Sequence, residues 1–212
     1  MVMDIFLLCM LITTFAMVAA KRMTALVNGF IGESLFLFFF TLTLGLRSAH
    51  AELLMVAALL FIIKVIFIPY SLKRISNKIK AEEDLGLFIN PMVSIFISGG
   101  LVYLAYLFTR RIISMPGAIE NAAFFVSLAM ILIGIFIMVS RMKALAQVAG
   151  LLVIENGLFL AASAVSGGMP FFVEIAIFFD IFLCVTILGI FVYKINRLFT
   201  HIDVDKLTEL KG

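Results

Sequence analysis

Four ionisable side chains stand near the middle of long apolar runs: Glu33, Lys64, Glu155 and Asp180. In water a lone glutamate on a helix is ordinary. At the centre of a bilayer-spanning helix a charge costs about 2.5–3.5 kcal/mol even on the gentler insertion scale, so each such residue needs a partner or a function. Glu155 lies in AGLLVIENGLFLAASAV (149–165), with Asn156 beside it. Low dielectric favours the neutral forms of carboxyl and amine alike, so both kinds of group can load and release a proton there. With a single lysine for three acids, at least two acids must be protonated, hydrated or paired with another subunit. Such a set supports proton exchange along a line at the membrane midplane. One intramembrane acid can equally be a helix–helix anchor; four together are poorly explained that way.

Composition sets the solvent. The 212 residues are 64% hydrophobic and 14% charged, with a mean hydropathy of +1.23. A soluble domain has about 25% charged residues, and no aqueous fold of this length could hide so much apolar surface. The fold class is an all-α polytopic membrane protein. A net charge of +3 says little about nucleic acid, because the basic residues fall in short loops. Cys9 and Cys184 lie in separate apolar runs and fit no metal or disulfide spacing.

About 20 apolar residues span a bilayer. On that rule seven spans are predicted: 5–20, 25–46, 53–72, 87–108, 118–140, 144–165 and 172–193. The first reads as a retained span and not a signal peptide, because no basic residue precedes it. The only long polar loop is 73–86, and a polar tail follows span seven. Seven spans put Lys21, Arg22, Lys73, Arg74, Lys78, Lys80, Arg141, Lys143, Lys194, Arg197, Lys206 and Lys211 on one side, with Arg47, Arg110 and Arg111 on the other. Basic residues mark the cytoplasmic side, so the N-terminus is expected outside and the C-terminus inside. Arg22-Met23-Thr24-Ala25-Leu26 before Glu33 echoes Arg141-Met142-Lys143-Ala144-Leu145 before Glu155. The echo suggests a parallel duplication, with units at 1–72 and 111–197, a loop and linking helix at 73–110, and a cytoplasmic tail helix at 198–212. Transporters commonly use such repeats.

Asn156, Gln147 and Ser163 read as interhelical hydrogen-bonding groups. Glu52, Glu120, Glu174 and His50 fall at the outer interface, where a solvated edge position explains them. No nucleotide loop, haem pair, cysteine cluster or nucleophile triad appears, so no catalytic or metal site and no cofactor is expected in this chain.

Phe61-Ile62-Ile63-Lys64-Val65 with Pro69, Glu155-Asn156-Gly157, and Asp203-Val204 with Leu207-Thr208-Glu209-Leu210-Lys211-Gly212 carry a family resemblance. Over essentially its whole length the chain resembles component E of hydrogenase-4 type complexes, the membrane subunit associated with formate hydrogenlyase and related nickel–iron hydrogenases. Its last three spans are also similar to the small K-type subunit of respiratory complex I, which has a mid-membrane glutamate in its second and third helices. Glu155 matches the first of these; the second falls on Asp180, a shorter acid. The resemblance implies a non-catalytic subunit in a prokaryotic plasma membrane, beside antiporter-like subunits. It also implies a peripheral redox arm that holds the nickel–iron and iron–sulfur centres, with coupling to H⁺ or Na⁺ translocation. A stand-alone secondary ion transporter and a purely structural membrane subunit are the competing readings.

Overall fold

Residues 2–48, 51–78, 88–112 and 117–166 are described by a computed structural model. Span seven, the tail, residues 79–86 of the polar loop and the adjoining Leu87, His50, Glu174, Asp180 and the side chain of Glu52 lie outside the described residues. What is described is helical: α1 (Val2–Ala19), α2 (Met23–Ser48), α3 (Ala51–Leu60), a π-helical stretch (Phe61–Phe67), α4 (Ile68–Lys78), α5 (Pro91–Ile112), α6 (Ala118–Ser140) and α7 (Ala144–Ser166). The third, π and fourth stretches run on without a break and make one crossing.

Six helices are long and apolar enough to cross a membrane: Val2–Ala19, Met23–Arg47, Leu53–Arg74, Pro91–Arg111, Ile119–Ser140 and Leu145–Val165. They coincide with the first six predicted spans to within a few residues. This is a multi-pass membrane protein. Two boundaries moved. The fourth span starts at Pro91, not at residue 87, because Asn90 caps it: its Oδ1 accepts the Met92 N–H at 3.1 Å and its carbonyl accepts the Ser94 N–H at 3.0 Å. A capping Asn followed by Pro in the first turn is a strong helix start. The predicted loop 73–86 also begins later, because α4 carries Lys73, Arg74 and Lys78.

Side chains turned away from the protein are as apolar as those inside, with Phe96 78% and Val139 74% exposed. Lipid accepts such a surface; water would not. The hairpins α1–α2 and α6–α7 lie side by side, α1 on α6 and α2 on α7. Helix α5 covers α1 and α6, while the α3–π–α4 crossing rests on α2. Within this group α7 is the most enclosed span and α5 the least.

Lipid gives apolar helices little reason to leave it for one another, so close backbone approach matters more than in water. Small residues supply it between α6 and α7. A Cβ on Gly134 would meet the Gly150 carbonyl oxygen at 2.9 Å, one on Gly150 would meet that of Gly134 at 2.9 Å, and one on Gly157 would meet that of Ser127 at 2.9 Å. The seven-residue spacing of 127 and 134 against 157 and 150 gives a straight antiparallel seam, and α7 is thereby held at fixed depth.

Gly150→Ala is therefore expected to lower the unfolding free energy by about 1–3 kcal/mol, the usual range for overpacking. Gly99→Ala on α5, where nothing lies within 4 Å, should leave it unchanged or slightly raised. Steric trapping in bicelles would measure both.

Candidate functional site

Lys64 faces inward because its helix is wound to suit. Leu60, Lys64, Ile68 and Leu72 are all buried, at a constant spacing of four. In a regular α-helix each such step drifts by about 40° around the axis, since each residue turns about 100°. Wider turns over Phe61–Phe67 absorb the drift: the Ile68 N–H reaches back five residues to the Ile63 carbonyl. Pro69 gives a reason for the widening, because it offers no N–H to the Val65 carbonyl and its ring crowds that turn. Such π stretches recur at functional sites.

Four elements, the π stretch itself, α7, α2 and α1, meet along a polar path that starts at the lysine. Its Nζ lies 2.8 Å from Glu155 Oε1 and donates to Asn156 Oδ1 at 2.9 Å, both on α7. Asn156 Nδ2 donates to Glu33 Oε1 at 3.2 Å and to Ser34 Oγ at 3.3 Å, both on α2. Thr14 Oγ1 on α1 sits 3.4 Å from Glu33 Oε2 and donates to its own helix at the Met10 carbonyl, 2.8 Å away. Glu33 and Asn156 are 0% exposed, Lys64 1% and Glu155 4%. Apart from the ion pair at Oε1, neither Glu155 oxygen has a hydrogen-bond partner among the described residues. The result is a continuous polar path, Thr14–Glu33–Asn156–Lys64–Glu155, through a region otherwise filled by Leu37, Val153, Leu160 and Leu152. Chemically it holds two carboxyl groups and an amine within a few hydrogen bonds of each other, joined by an amide. Among the described residues no three His, Cys, Asp or Glu gather as a metal site would require.

Of the four midplane charges, the structure thus brings Glu33, Lys64 and Glu155 together, and Lys64 pairs with span six. Asn156 links Glu33 to Lys64 and, through the lysine, to Glu155. Gln147 of α7 donates to the carbonyl of Arg141, the C-cap of α6, at 3.0 Å, and among the described residues Ser163 bonds only to Phe159 of its own helix, at 3.0 Å. Thr14 and Ser34 were missed; the nearest signal was that Ser34 adjoins Glu33.

A second buried cation sits at the cytoplasmic end in the sequence reading. Arg141, taken there as a loop residue, is 1% exposed. Its guanidinium donates to the carbonyls of Ala20 (2.8 Å), Val18 (2.7 Å) and Met17 (3.3 Å). These carbonyls lie at the α1 C-terminus, where the last turn leaves carbonyls without helical partners and a cation also meets the favourable end of the helix dipole. Burial pulls this guanidinium below its ordinary pKa, but from so high a starting value it stays charged. The clamp ties the α6–α7 turn to the α1–α2 turn, and Arg22 and Arg141 are the bridge-forming residues among those described.

Known proteins share this chain's plan. Hydrogenase-4 component E of Escherichia coli K12 is 28% identical over 204 residues, covering 96% of this chain and 94% of that protein. The Shigella flexneri component E matches to the same extent. The chain is thus similar to hydrogenase-4 component E over nearly its whole length. An uncharacterized Mycobacterium tuberculosis protein is 27% identical over 168 residues, 79% of this chain and 76% of its own length. No family model matches and no solved structure matches.

For this component E relative, two substitutions separate the clamp from the path. Asn156→Leu strands Glu33 Oε1, Ser34 Oγ and one Lys64 donor, at about 1–3 kcal/mol for each buried group left unpaired. Arg141→Gln removes most of the α1 cap, and should loosen α1 first. Hydrogen exchange in lipid nanodiscs is expected to show faster exchange across α2 and α7 in the first variant and at the C-terminal turn of α1 in the second.

Proposed function

We propose that this chain is a non-catalytic membrane subunit of a hydrogenase-4 or related complex I-like assembly, and that its buried charged path takes part in moving H⁺ or Na⁺ across the membrane. Membership of a hydrogenase complex follows from the component E relatives, which match nearly end to end. The observation that carries the transport reading is the path itself. It sets a lysine and two glutamates in one enclosed cluster among spanning helices, where an apolar core would pack at less cost.

On this reading the redox chemistry, with its nickel–iron and iron–sulfur centres, belongs to a peripheral arm made of other chains. Antiporter-like subunits extend the line on either side, and Asp180, which falls where the K-type subunit of complex I has its second glutamate, is assigned to the same ion-transfer task. Seven crossings of a prokaryotic plasma membrane, N-terminus outside and C-terminus inside, complete the topology. The paired positions of Glu33 on α2 and Glu155 on α7, each in the second helix of its hairpin, support an ancestral duplication.

The test is made on the assembled complex in liposomes. Glu33→Gln and Asp180→Asn are each expected to leave assembly intact. Each should cut redox-coupled ion translocation by about a hundredfold or more, the scale of a lost proton-transfer group. Undiminished translocation in both variants would refute the reading. Loss of assembly in both would refute it in favour of an anchoring role. The wild-type chain should co-purify with antiporter-like and hydrogenase subunits; ion transport by the chain alone would instead identify a self-contained transporter.

A further inference from the structure

The hydrogen bonds around the two glutamates are not equivalent, and the difference locates a proton. Lysine can only donate, so the amide oxygen of Asn156 must face Lys64, and its NH₂ must face Glu33 and Ser34. Glu33 Oε1 is then an acceptor in either protonation state. Everything turns on Oε2. Its neighbour is the Thr14 hydroxyl at 3.4 Å, which owns a single hydrogen. That hydrogen has a nearer acceptor, the Met10 carbonyl at 2.8 Å, which can do nothing but accept. With the hydrogen committed there, Thr14 shows Glu33 a lone pair. A bare carboxylate oxygen facing a lone pair is repelled; a carboxyl O–H facing it makes a bond.

Charge points the same way. Lys64 is in contact with Glu155 at 2.8 Å. The recorded partners of Glu33 are an amide and a hydroxyl, and no cation among the described residues touches it. Among the described residues of the elements packed against α2, the charged groups facing this cluster are Lys64 of the π stretch and Glu155 of α7, and α1 contributes Thr14. Ionising Glu33 as well would add a second negative charge to a cluster holding one described cation, at a site where an uncompensated charge costs several kcal/mol.

We propose that Glu33 is the protonated member of this cluster, with its proton on Oε2 held by Thr14 Oγ1, and that Glu155 is the anion paired with Lys64. Thr14 is a positioning residue: it fixes where the exchangeable proton waits. The assignment deepens the transport reading by naming the group that carries the proton, and rests on that reading only for its use.

Infrared spectroscopy of the assembled complex in lipid tests it. A protonated-carboxyl C=O band, shifting on transfer to D₂O, is expected in the wild type, and Glu33→Gln should remove that component. Thr14→Val should move it to higher frequency, because the O–H loses its acceptor, and Thr14→Ser should restore it. Thermal unfolding gives a second arm. Glu33→Gln replaces a neutral acid with a neutral amide of the same shape and should melt close to wild type, whereas Glu155→Gln abandons Lys64 and should melt clearly lower. Persistence of the full band in Glu33→Gln overturns the assignment, as does a melting loss in Glu33→Gln equal to that in Glu155→Gln. A band unmoved in Thr14→Val removes Thr14 from it. These readouts do not require ion pumping, so they stand apart from the outcome of the transport assay.

Discussion

The Lys64–Glu155 ion pair, bridged to Glu33 by Asn156, is the interaction on which the arrangement of this protein depends. In lipid, apolar helices gain little by leaving the hydrocarbon for one another. A lysine and two acids in that solvent gain a great deal by meeting. Their meeting fixes which faces of α2, α7 and the π stretch turn inward, and to what depth each is inserted. A buried pair of this kind is weak evidence of stability in itself, since an apolar replacement would often hold as well. Its retention in the middle of four packed elements is better explained by use.

Three purely structural devices serve that meeting. The π turn resets the rotation of the third crossing, so that Lys64 stays on the same side as Leu60, Ile68 and Leu72. At the membrane edge the Arg141 clamp on the α1 carbonyls locks the two hairpins in register, and the glycine seam between α6 and α7 brings those helices to backbone contact. Cation position and proton position are thus controlled by different elements, the first by the third crossing and the second by Thr14 of α1.

Six spans and the depth of three charges were legible in the sequence, because hydropathy reads length and a charge inside an apolar run reads depth. Partnership was not legible. Depth alone leaves the partners of Lys64 open, and its contact with Glu155 depends on helix rotation, which the π turn alters without any polar signature of its own. Arg141 escaped because a basic residue at the end of a span ordinarily faces water; only its echo of Arg22 set it apart. Thr14 escaped for a different reason. A threonine in an apolar helix usually bonds back to its own helix, and Thr14 does so while also facing Glu33.

A double-mutant cycle on Lys64 and Glu155 measures the central interaction most directly. With Lys64→Met, Glu155→Leu and the double variant unfolded by steric trapping in bicelles, each single change should cost about 3–5 kcal/mol, the range for stranding one partner of a buried pair. The double change should cost clearly less than the two together. Losses that add to within about 0.5 kcal/mol, as they do for residues that do not interact, would contradict the pairing and with it the path.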